Sequence, residues 1–218
     1  KILVVPVETT DYTFSDSYGS DWRTTLEHGF FGDSSDTGWE SVSSFYEKSS
    51  YGKLHISGEV TPVINLNVTS SKLSSLNDSY SEKGMNYTDI LLDEVINTLN
   101  KDTDINFADY DTDKDGFIDA VWLVYSVPYR QTSQLFWAYP TWAQDASSYD
   151  GVTPCCYSWA SFKFLTEMDY RPKGTTSYAN YSDAHTFIHE TGHILGLDDY
   201  YSYDYDYSAS KPNGNADT

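Results

Sequence analysis

The 218-residue chain has only two cysteines, few basic residues and no long apolar run. Cys155 and Cys156 are adjacent, so they cannot provide the long-range disulfide framework that holds small secreted domains together. We expect two packed thiols there, with a strained disulfide between the neighbours as the alternative. No apolar segment approaches the roughly 20 residues that a transmembrane helix needs, so we expect no membrane span.

Basic residues are strongly outnumbered: 13 Lys and Arg stand against 33 Asp and Glu, which gives a net charge of −20. Proteins bind nucleic acids by neutralising phosphates with Lys and Arg, so this composition argues against a nucleic-acid partner and disfavours an anionic membrane surface. Aromatic residues, by contrast, make up 17% of the chain, and they predict a folded domain rather than a disordered segment.

Strong acidity, sparse cysteine and abundant Tyr, Ser, Asp and Asn together favour a secreted, extracellular protein. Residues 1–7 predict a buried strand rather than the apolar core of a signal peptide. We therefore expect this sequence to be a mature or trimmed form from which the signal peptide is absent.

The order of the predicted elements indicates an α+β or mixed α/β domain. Elements with a recognisable apolar pattern are the strands 2–8, 53–57 and 120–127, an extended segment 59–66, and the helices 38–50, 88–99 and 181–197. Residues 67–86 are predicted to form a loop, and residues 128–180 are aromatic and turn-rich without a clear period.

The last predicted helix carries the motif His-Glu-x-x-His. His189 and His193 lie four residues apart, so on a helix their imidazoles share one face and can bind the same metal ion. Gly196 marks the point where the chain leaves the helix, since glycine adopts a positive φ at low cost. Asp199 then occupies the position where metzincin-type enzymes place a third zinc ligand. Asp198 or a more distant residue is the alternative third ligand.

Glu190 follows the first histidine and is expected to face the open position of the ion rather than to bind it. Three protein ligands and one open position are typical of a catalytic Zn²⁺ site. A carboxylate beside that position can accept a proton from water as a general base and pass it to a leaving amine. The motif therefore predicts hydrolysis of a carbonyl compound by a zinc-dependent mechanism.

The same helix also has an apolar face that is expected to pack against a core, formed by Phe187, Ile188, Thr191 and Leu195. Ser182 or Asp183 is expected to cap its N-terminus. Gly192 lowers helix stability by roughly 1 kcal/mol, and close approach of a neighbouring element would explain it. His185 lies one turn before His189, and we interpret it as a hydrogen-bonding or surface residue rather than a metal ligand.

A second motif predicts a calcium site. Its expected ligands occupy alternate positions of an EF-hand-like loop: Asp111, Asp113, Asp115, the Phe117 carbonyl and Asp119. Gly116 supplies the sharp turn, but Trp122 stands where a complete EF-hand has its bidentate Glu. We therefore expect a single structural Ca²⁺ site, and a solvated acidic turn is the alternative.

Two aromatic segments admit more than one interpretation. Residues 136–142 contain two tryptophans, and packing in the core is favoured over contact with a substrate. The Tyr- and Asp-rich residues 200–207 are interpreted as a polar surface strand, although they could supply a cation ligand or line a site. The adjacent cysteines do not predict a metal site, because the sequence has no second pair.

Residues 189–201, H-E-T-G-H-I-L-G-L-D-D-Y-Y, closely resemble the signature of the immune inhibitor A-like family of secreted zinc metalloproteases. Three upstream segments resemble the family in the same order: K-I-L-V-V-P-V-E-T-T-D at the start, S-V-S-S-F-Y-E-K-S-S-Y-G-K-L-H-I-S-G-E-V from residue 41, and D-Y-D-T-D-K-D-G-F-I-D-A-V-W-L-V-Y from residue 109. The resemblance implies a metzincin-related zincin fold that is stabilised by calcium and acts on proteins or peptides. It also implies zinc ligation by His189, His193 and Asp199, with Glu190 as the catalytic base.

One feature departs from this family. Related enzymes have a methionine-containing turn downstream of the helix, whereas Met85 and Met168 both precede His189. We therefore expect a single catalytic domain over residues 1–218 whose upper subdomain spans about residues 1–197. Residues 198–218 would begin a lower subdomain that is truncated, and loss of the methionine turn is the alternative.

Three functions fit these patterns. The first is a secreted zinc endopeptidase that hydrolyses peptide bonds in protein or peptide substrates. The second is a non-catalytic, calcium-bound binding or adhesion module on a zincin scaffold, and the third is a zinc hydrolase of non-peptide esters or amides. The presence of both histidines together with Glu190 favours an enzyme.

Overall fold

A computed structural model describes the chain over residues 1–129, 134–166 and 182–199. The strands in this part are Ile2–Glu8 (β1), Gly58–Val60 (β2), Ile64–Asn65 (β3), Val121–Tyr125 (β4), Tyr139–Trp142 (β5) and Cys156–Ser161 (β6). They form one sheet in the order β2-β1-β4-β6-β5, and β3 also pairs with β1. All pairs are parallel except β5 with β6, so the sheet is mixed.

The interior strand β1 is covered on both faces. Leu3, Val5 and Val7 point into one apolar cluster, and Ile2 and Val4 point into the other. All five side chains are buried. Because successive side chains of a strand point to opposite faces, a strand covered on both sides needs a continuous apolar run.

Helices supply the cover on each face. The α-helices are Phe14–Tyr18 (α1), Trp22–Phe31 (α2), Ser34–Thr37 (α3), Val42–Ser49 (α4), Ser70–Ser81 (α5), Tyr87–Asp102 (α6) and His185–Ile194 (α7). Short 3₁₀ turns are Phe107–Tyr110, Gln134–Phe136 and Phe162–Leu165. Buried residues of α5 and α6 belong to the cluster of Leu3, and those of α2, α4 and α7 belong to the cluster of Val4. The described part of the chain is therefore a mixed α+β fold.

Predictions made from strong apolar patterns are confirmed for β1, β4 and α6. The prediction of a loop over residues 67–86 is wrong, because α5 occupies much of that segment. The side chain of Thr69 accepts a hydrogen bond from the amide of Lys72 and so caps α5. This helix is polar apart from a few apolar positions such as Leu73, so its sequence carries little helical periodicity.

Two further boundaries differ from expectation. Residues 53–57 pair with no strand over their length, although Leu54 and Ile56 pack partly buried against the core as predicted. Helix α7 is shorter than the predicted 181–197, because it begins at His185 and ends at Ile194.

The helices within residues 1–129, 134–166 and 182–199 are all too short or too polar to cross a lipid bilayer. Residues 200–207, predicted as a surface strand, lie outside the described residues, as does Met168. The proposed division into an upper and a lower subdomain stays a prediction.

Candidate metal centre

Helix α7 is held against the sheet by its apolar side. Phe187 and Ile188 are fully buried, and the Phe187 ring lies 4.9 Å from the ring of Trp122 and 5.3 Å from that of Phe30, between ring centroids. Thr191 is also buried, as predicted. Leu195 was expected on the same face, but it is 44% exposed, because it is the C-cap residue where the chain turns away from the core.

Two side chains from other elements tether α7 by hydrogen bonds. The hydroxyl of Tyr46 on α4 donates to the carbonyl oxygen of Ile188 at 2.7 Å, and the indole N–H of Trp122 on β4 donates to the hydroxyl oxygen of Thr191 at 3.2 Å. A Cβ atom on Gly192 would lie 2.9 Å from the Tyr46 oxygen. Close approach of a neighbouring element therefore explains Gly192.

The C-terminal end of α7 turns back beneath the helix. Gly196 has a φ of +86°, as predicted, and its amide donates to the carbonyl of His193 at 2.9 Å. The amide of Leu197 donates to the carbonyl of Gly192 at 2.9 Å. These paired bonds form a Schellman motif, which satisfies the last carbonyls of the helix and directs residues 197–199 towards its histidine face.

The N-terminal end of α7 is not capped as predicted. Its N-cap residue is Ala184, and no side chain makes a cap hydrogen bond there. Asp183 instead accepts a bond from the amide of His185 at 3.1 Å. Ser182 donates its hydroxyl to the carbonyl of Thr25 at 3.1 Å and so anchors the preceding segment to α2.

The structure brings the three expected zinc ligands together. The Nε2 atoms of His189 and His193 lie 3.1 Å apart. The Oδ1 atom of Asp199 lies 3.2 Å from Nε2 of His189 and 3.3 Å from Nε2 of His193. The three atoms therefore form a nearly equilateral triangle, whereas Asp198 is exposed and outside it.

This triangle matches the donor set of a zinc ion. Tetrahedral zinc with bonds of about 2.0–2.1 Å holds its ligand atoms about 3.3 Å apart, close to the three separations observed. Two imidazole nitrogens and one carboxylate oxygen are also the ligand types that zinc prefers. The residues present thus fit a zinc ion with three protein ligands.

A hydrogen bond also orients the ring of His193 for metal binding. Its Nδ1 atom lies 2.8 Å from the carbonyl oxygen of Leu197. A carbonyl oxygen only accepts, so Nδ1 carries the proton and the lone pair of Nε2 is directed at the triangle. The turn at Gly196 therefore supplies both the third ligand and the partner that orients the second.

Glu190 lies beside the same ligands. Its side chain is 7% exposed, and one of its carboxylate oxygens belongs to a group with the two histidine nitrogens in which all ligand atoms lie within 4.8 Å of one another. The half-buried phenol of Tyr139 is close enough for its pKa to be raised, first by burial and then by the charge of Glu190.

A cleft opens over this group. Its other walls come from β5 and the turns beside it, with Trp137, Tyr139, Pro140 and Phe164 among the lining residues. The Trp137 ring packs edge-on against Phe164 at 5.4 Å between centroids, yet the side chain is 40% exposed. Phe136 is fully buried, in line with the packing favoured for residues 136–142, whereas the two tryptophans Trp137 and Trp142 are 40% and 52% exposed and do not pack in the core.

His185 also lines the cleft, one helical turn from His189. Its Nδ1 atom lies 2.5 Å from Oδ1 of Asp183, and its ring stacks on the indole of Trp39 at 4.4 Å between centroids with an angle of 6°. As expected, it does not belong to the metal-ligand group found among the described residues. The roles of Trp39 and Tyr46 were not foreseen, because both lie far from α7 in the sequence.

The candidate calcium loop brings three of its five expected ligands together. Asp111, Asp113 and Asp115 bring one carboxylate oxygen each within 4.8 Å of one another. The amide of Asp115 donates to Asp111 at 3.1 Å, and Gly116 turns the chain with a φ of +90°. Three carboxylates so close together repel one another unless a cation or protons balance their charge.

Asp119 and Phe117 are placed differently. The carboxylate of Asp119 accepts hydrogen bonds from the amide and the hydroxyl of Thr112, at 3.0 and 2.8 Å, and lies outside the group of three. The amide of Phe117 donates to Asp115 at 2.9 Å, which curls the chain around that carboxylate. Calcium ligation by Asp119 and by the Phe117 carbonyl stays a prediction.

Cys155 and Cys156 are both free thiols and partly buried, consistent with two packed thiols. Burial raises the pKa of Cys156 to about 11, and it also raises the pKa of Cys155.

The sequence matches no protein-family model and no curated protein.

Proposed function

We propose that this protein is a secreted zinc-dependent endopeptidase with a zincin fold of the metzincin type, similar to the immune inhibitor A-like family. One observation carries the proposal: Nε2 of His189, Nε2 of His193 and Oδ1 of Asp199 converge to within 3.1–3.3 Å of one another, next to the buried carboxylate of Glu190.

His189, His193 and Asp199 would hold the zinc ion, and the fourth position would remain open towards the cleft. When bound, zinc polarises a carbonyl group and lowers the pKa of a water ligand to about 7. The protein supplies the rest. The Leu197 carbonyl fixes the tautomer of His193, and the buried apolar face of α7 keeps the ligands from moving apart.

In this proposal Glu190 moves the proton. Its carboxylate accepts a proton from the attacking water and delivers it to the amine that leaves, so the peptide bond is cleaved without a charged amide nitrogen being expelled. The cleft walls, with the exposed ring of Trp137 and the edge strand β5, offer apolar surface to an extended peptide. Protein or peptide substrates are therefore favoured over small esters.

Calcium is part of the proposal. The Asp111, Asp113 and Asp115 carboxylates would bind one Ca²⁺, which would relieve their mutual repulsion and fix the loop that leads into the buried strand β4. The ion would act on stability rather than on the chemistry.

The experiment is digestion of casein and gelatin by the zinc-loaded protein and by Glu190→Ala, with zinc content measured for both. The endopeptidase function predicts that the zinc-loaded protein digests both substrates. It also predicts that the digestion rate of Glu190→Ala is at least 100-fold lower at equal zinc content. Equal digestion by the two proteins would contradict the role of Glu190. If zinc is bound but neither protein digests, a panel of small esters and amides distinguishes a different hydrolase from a binding module.

A further inference from the structure

The cleft contains a second polar group besides the metal site. Among the described residues that line it, His185 is the titratable side chain that belongs neither to the zinc ligands and Glu190 nor to the phenol of Tyr139. It lies four residues before His189, so it is on nearly the same face of α7 and about one helical turn, roughly 5–6 Å, further along the cleft.

Two contacts fix the His185 ring, and a third fixes its backbone. Asp183, whose side chain is only 14% exposed, accepts from both the ring Nδ1 at 2.5 Å and the backbone amide at 3.1 Å. The indole of Trp39 stacks on one face of the ring, and Trp39 itself is supported by Phe45 of α4 at 5.8 Å between centroids. These contacts hold the ring of His185 in one orientation, as hydrogen bonds hold the ring of a metal-binding histidine.

The orientation leaves one nitrogen for a partner. A carboxylate only accepts, so Nδ1 carries a proton and donates it to Asp183. Nε2, on the other side of the ring, makes no hydrogen bond to any residue within 1–129, 134–166 and 182–199. In the protonated ring Nε2 is also a donor, so the cleft presents one cationic N–H at a fixed place.

The negative charge of Asp183 favours the protonated form of His185. The pKa of His185 is raised, first by its hydrogen bond to Asp183 and also by the charge of that carboxylate, while partial burial opposes the rise. Trp39, which stacks on it, and Phe45, which packs against Trp39, carry no charge. Glu40, next to Trp39, is paired with Lys48 and not with His185. Glu190 and Asp199 are the carboxylates that line the neighbouring part of the cleft, and the zinc ion of the proposed function would offset the charge of Asp199.

We propose, on the basis of the peptidase function proposed above, that His185 is a substrate-binding residue. Its imidazolium donates a hydrogen bond to a carboxylate side chain of the peptide, Glu or Asp, close to the scissile bond. Asp183 and Trp39 are its positioning residues. The bond is a charge-assisted N–H···O contact in a partly exposed cleft, so its expected value is a roughly five- to tenfold preference.

The test uses fluorogenic octapeptides that are identical except for Glu or Gln, scanned through each position on either side of the cleaved bond. At pH 6, one position is expected to give a kcat/KM for the Glu peptide about five- to tenfold above that for the Gln peptide. His185→Gln is expected to bring this ratio close to one. His55→Gln, which changes an exposed histidine far from the cleft, is expected to keep it.

The pH profile separates a binding role from a structural one. The preference requires the cation, so it is present at low pH and disappears as the pH rises through the raised pKa of His185. Asp183→Asn removes the group that raises this pKa, so the same loss is expected at a lower pH. A merely structural role would change stability without moving this midpoint.

Binding provides the readout that does not depend on turnover. The zinc-loaded Glu190→Gln protein, with and without His185→Gln, is titrated with the Glu and Gln peptides by calorimetry. Tighter binding of the Glu peptide that needs His185 supports the subsite even if no peptide is cleaved, in which case only the peptidase function fails. Cleavage without any Glu preference, or a preference unaffected by His185→Gln, overturns the subsite and leaves the peptidase function standing. If the protein neither cleaves the peptides nor binds the Glu peptide more tightly, both the subsite and the peptidase function are contradicted.

Discussion

The hydroxyl of Tyr46 on α4 donates a 2.7 Å hydrogen bond to the carbonyl of Ile188 and also occupies the space beside Gly192 on α7. Because Ile188 precedes the first histidine of the metal centre by one residue, this contact ties the position of the ligands to a helix from the first quarter of the chain. The same oxygen therefore contributes to stability and restricts residue 192 to glycine.

The first prediction is a double-mutant cycle on this pair. Gly192→Ala is expected to destabilise the protein, because its Cβ would lie 2.9 Å from the Tyr46 oxygen, and the next nearest atom is 3.6 Å away. Tyr46→Phe alone is expected to cost about 1 kcal/mol for the lost buried hydrogen bond. In the double mutant the clash disappears and alanine favours the helix by up to about 1 kcal/mol, so it should be more stable than Gly192→Ala alone.

Urea unfolding of the four proteins measures this coupling, and Tyr51→Phe, at a side chain that is 93% exposed, is the matched control. If the effects of the two substitutions simply add, the steric explanation for Gly192 fails.

The second prediction concerns the third zinc ligand. Asp199→Asn is expected to weaken zinc binding by at least tenfold, because a neutral amide replaces the carboxylate 3.2–3.3 Å from the two histidine nitrogens. Asp198→Asn changes the neighbouring, exposed carboxylate and is expected to leave the affinity within twofold. Competition with a chromogenic chelator gives both dissociation constants. A larger effect at Asp198 would exchange the roles of the two residues.

The third prediction concerns calcium. Saturating Ca²⁺ is expected to raise the melting temperature, because an ion that binds only the folded loop stabilises it by mass action. Asp113→Asn should remove most of that rise, whereas Asp104→Asn, at an exposed acidic residue outside the group of three, should retain it. Differential scanning calorimetry with Ca²⁺ and with a calcium chelator measures the shift. An identical melting temperature in the two conditions would show that the loop is a solvated turn.

The fourth prediction follows from the raised pKa of Cys156. The pKa is raised to about 11 by burial, and thiolate is the reactive form, so alkylation by iodoacetamide should still increase with pH between 8 and 10. The Cys155→Ser protein isolates this thiol, and the same protein in urea is the control, whose rate should level off near pH 9. Levelling off of the native rate at pH 8.5 would contradict the burial of Cys156. Mass spectrometry follows the reaction.

Those parts of the fold that depend on a simple apolar pattern could be predicted from the sequence. Strand β1 is buried on both faces and therefore apolar at successive positions, and α6 carries a stripe at helical spacing. Helix α5 was missed because serines and other polar residues dominate it. Its stability comes from a cap at Thr69 and from packing of Leu73, neither of which produces a periodic signal.

At the candidate metal centre, the grouping of His189 and His193 could be predicted because the motif fixes their spacing along one helix. The expected third ligand, Asp199, also lies there because Gly196 reverses the chain within three residues. The contacts of Trp39 with His185 and of Tyr46 with Ile188 could not be predicted, since they join segments that only the packed sheet brings together. The exposure of Trp137 could not be predicted either, because it depends on how the turn before β5 packs against Phe164.

The most direct measurement is a crystal structure of the zinc-loaded protein with anomalous difference maps recorded above and below the zinc absorption edge. We expect one peak that disappears below the edge and lies about 2.0–2.1 Å from Nε2 of His189, Nε2 of His193 and Oδ1 of Asp199. A map in which the two imidazoles are separated and no zinc peak lies between them would contradict the proposed metal centre and, with it, the peptidase function.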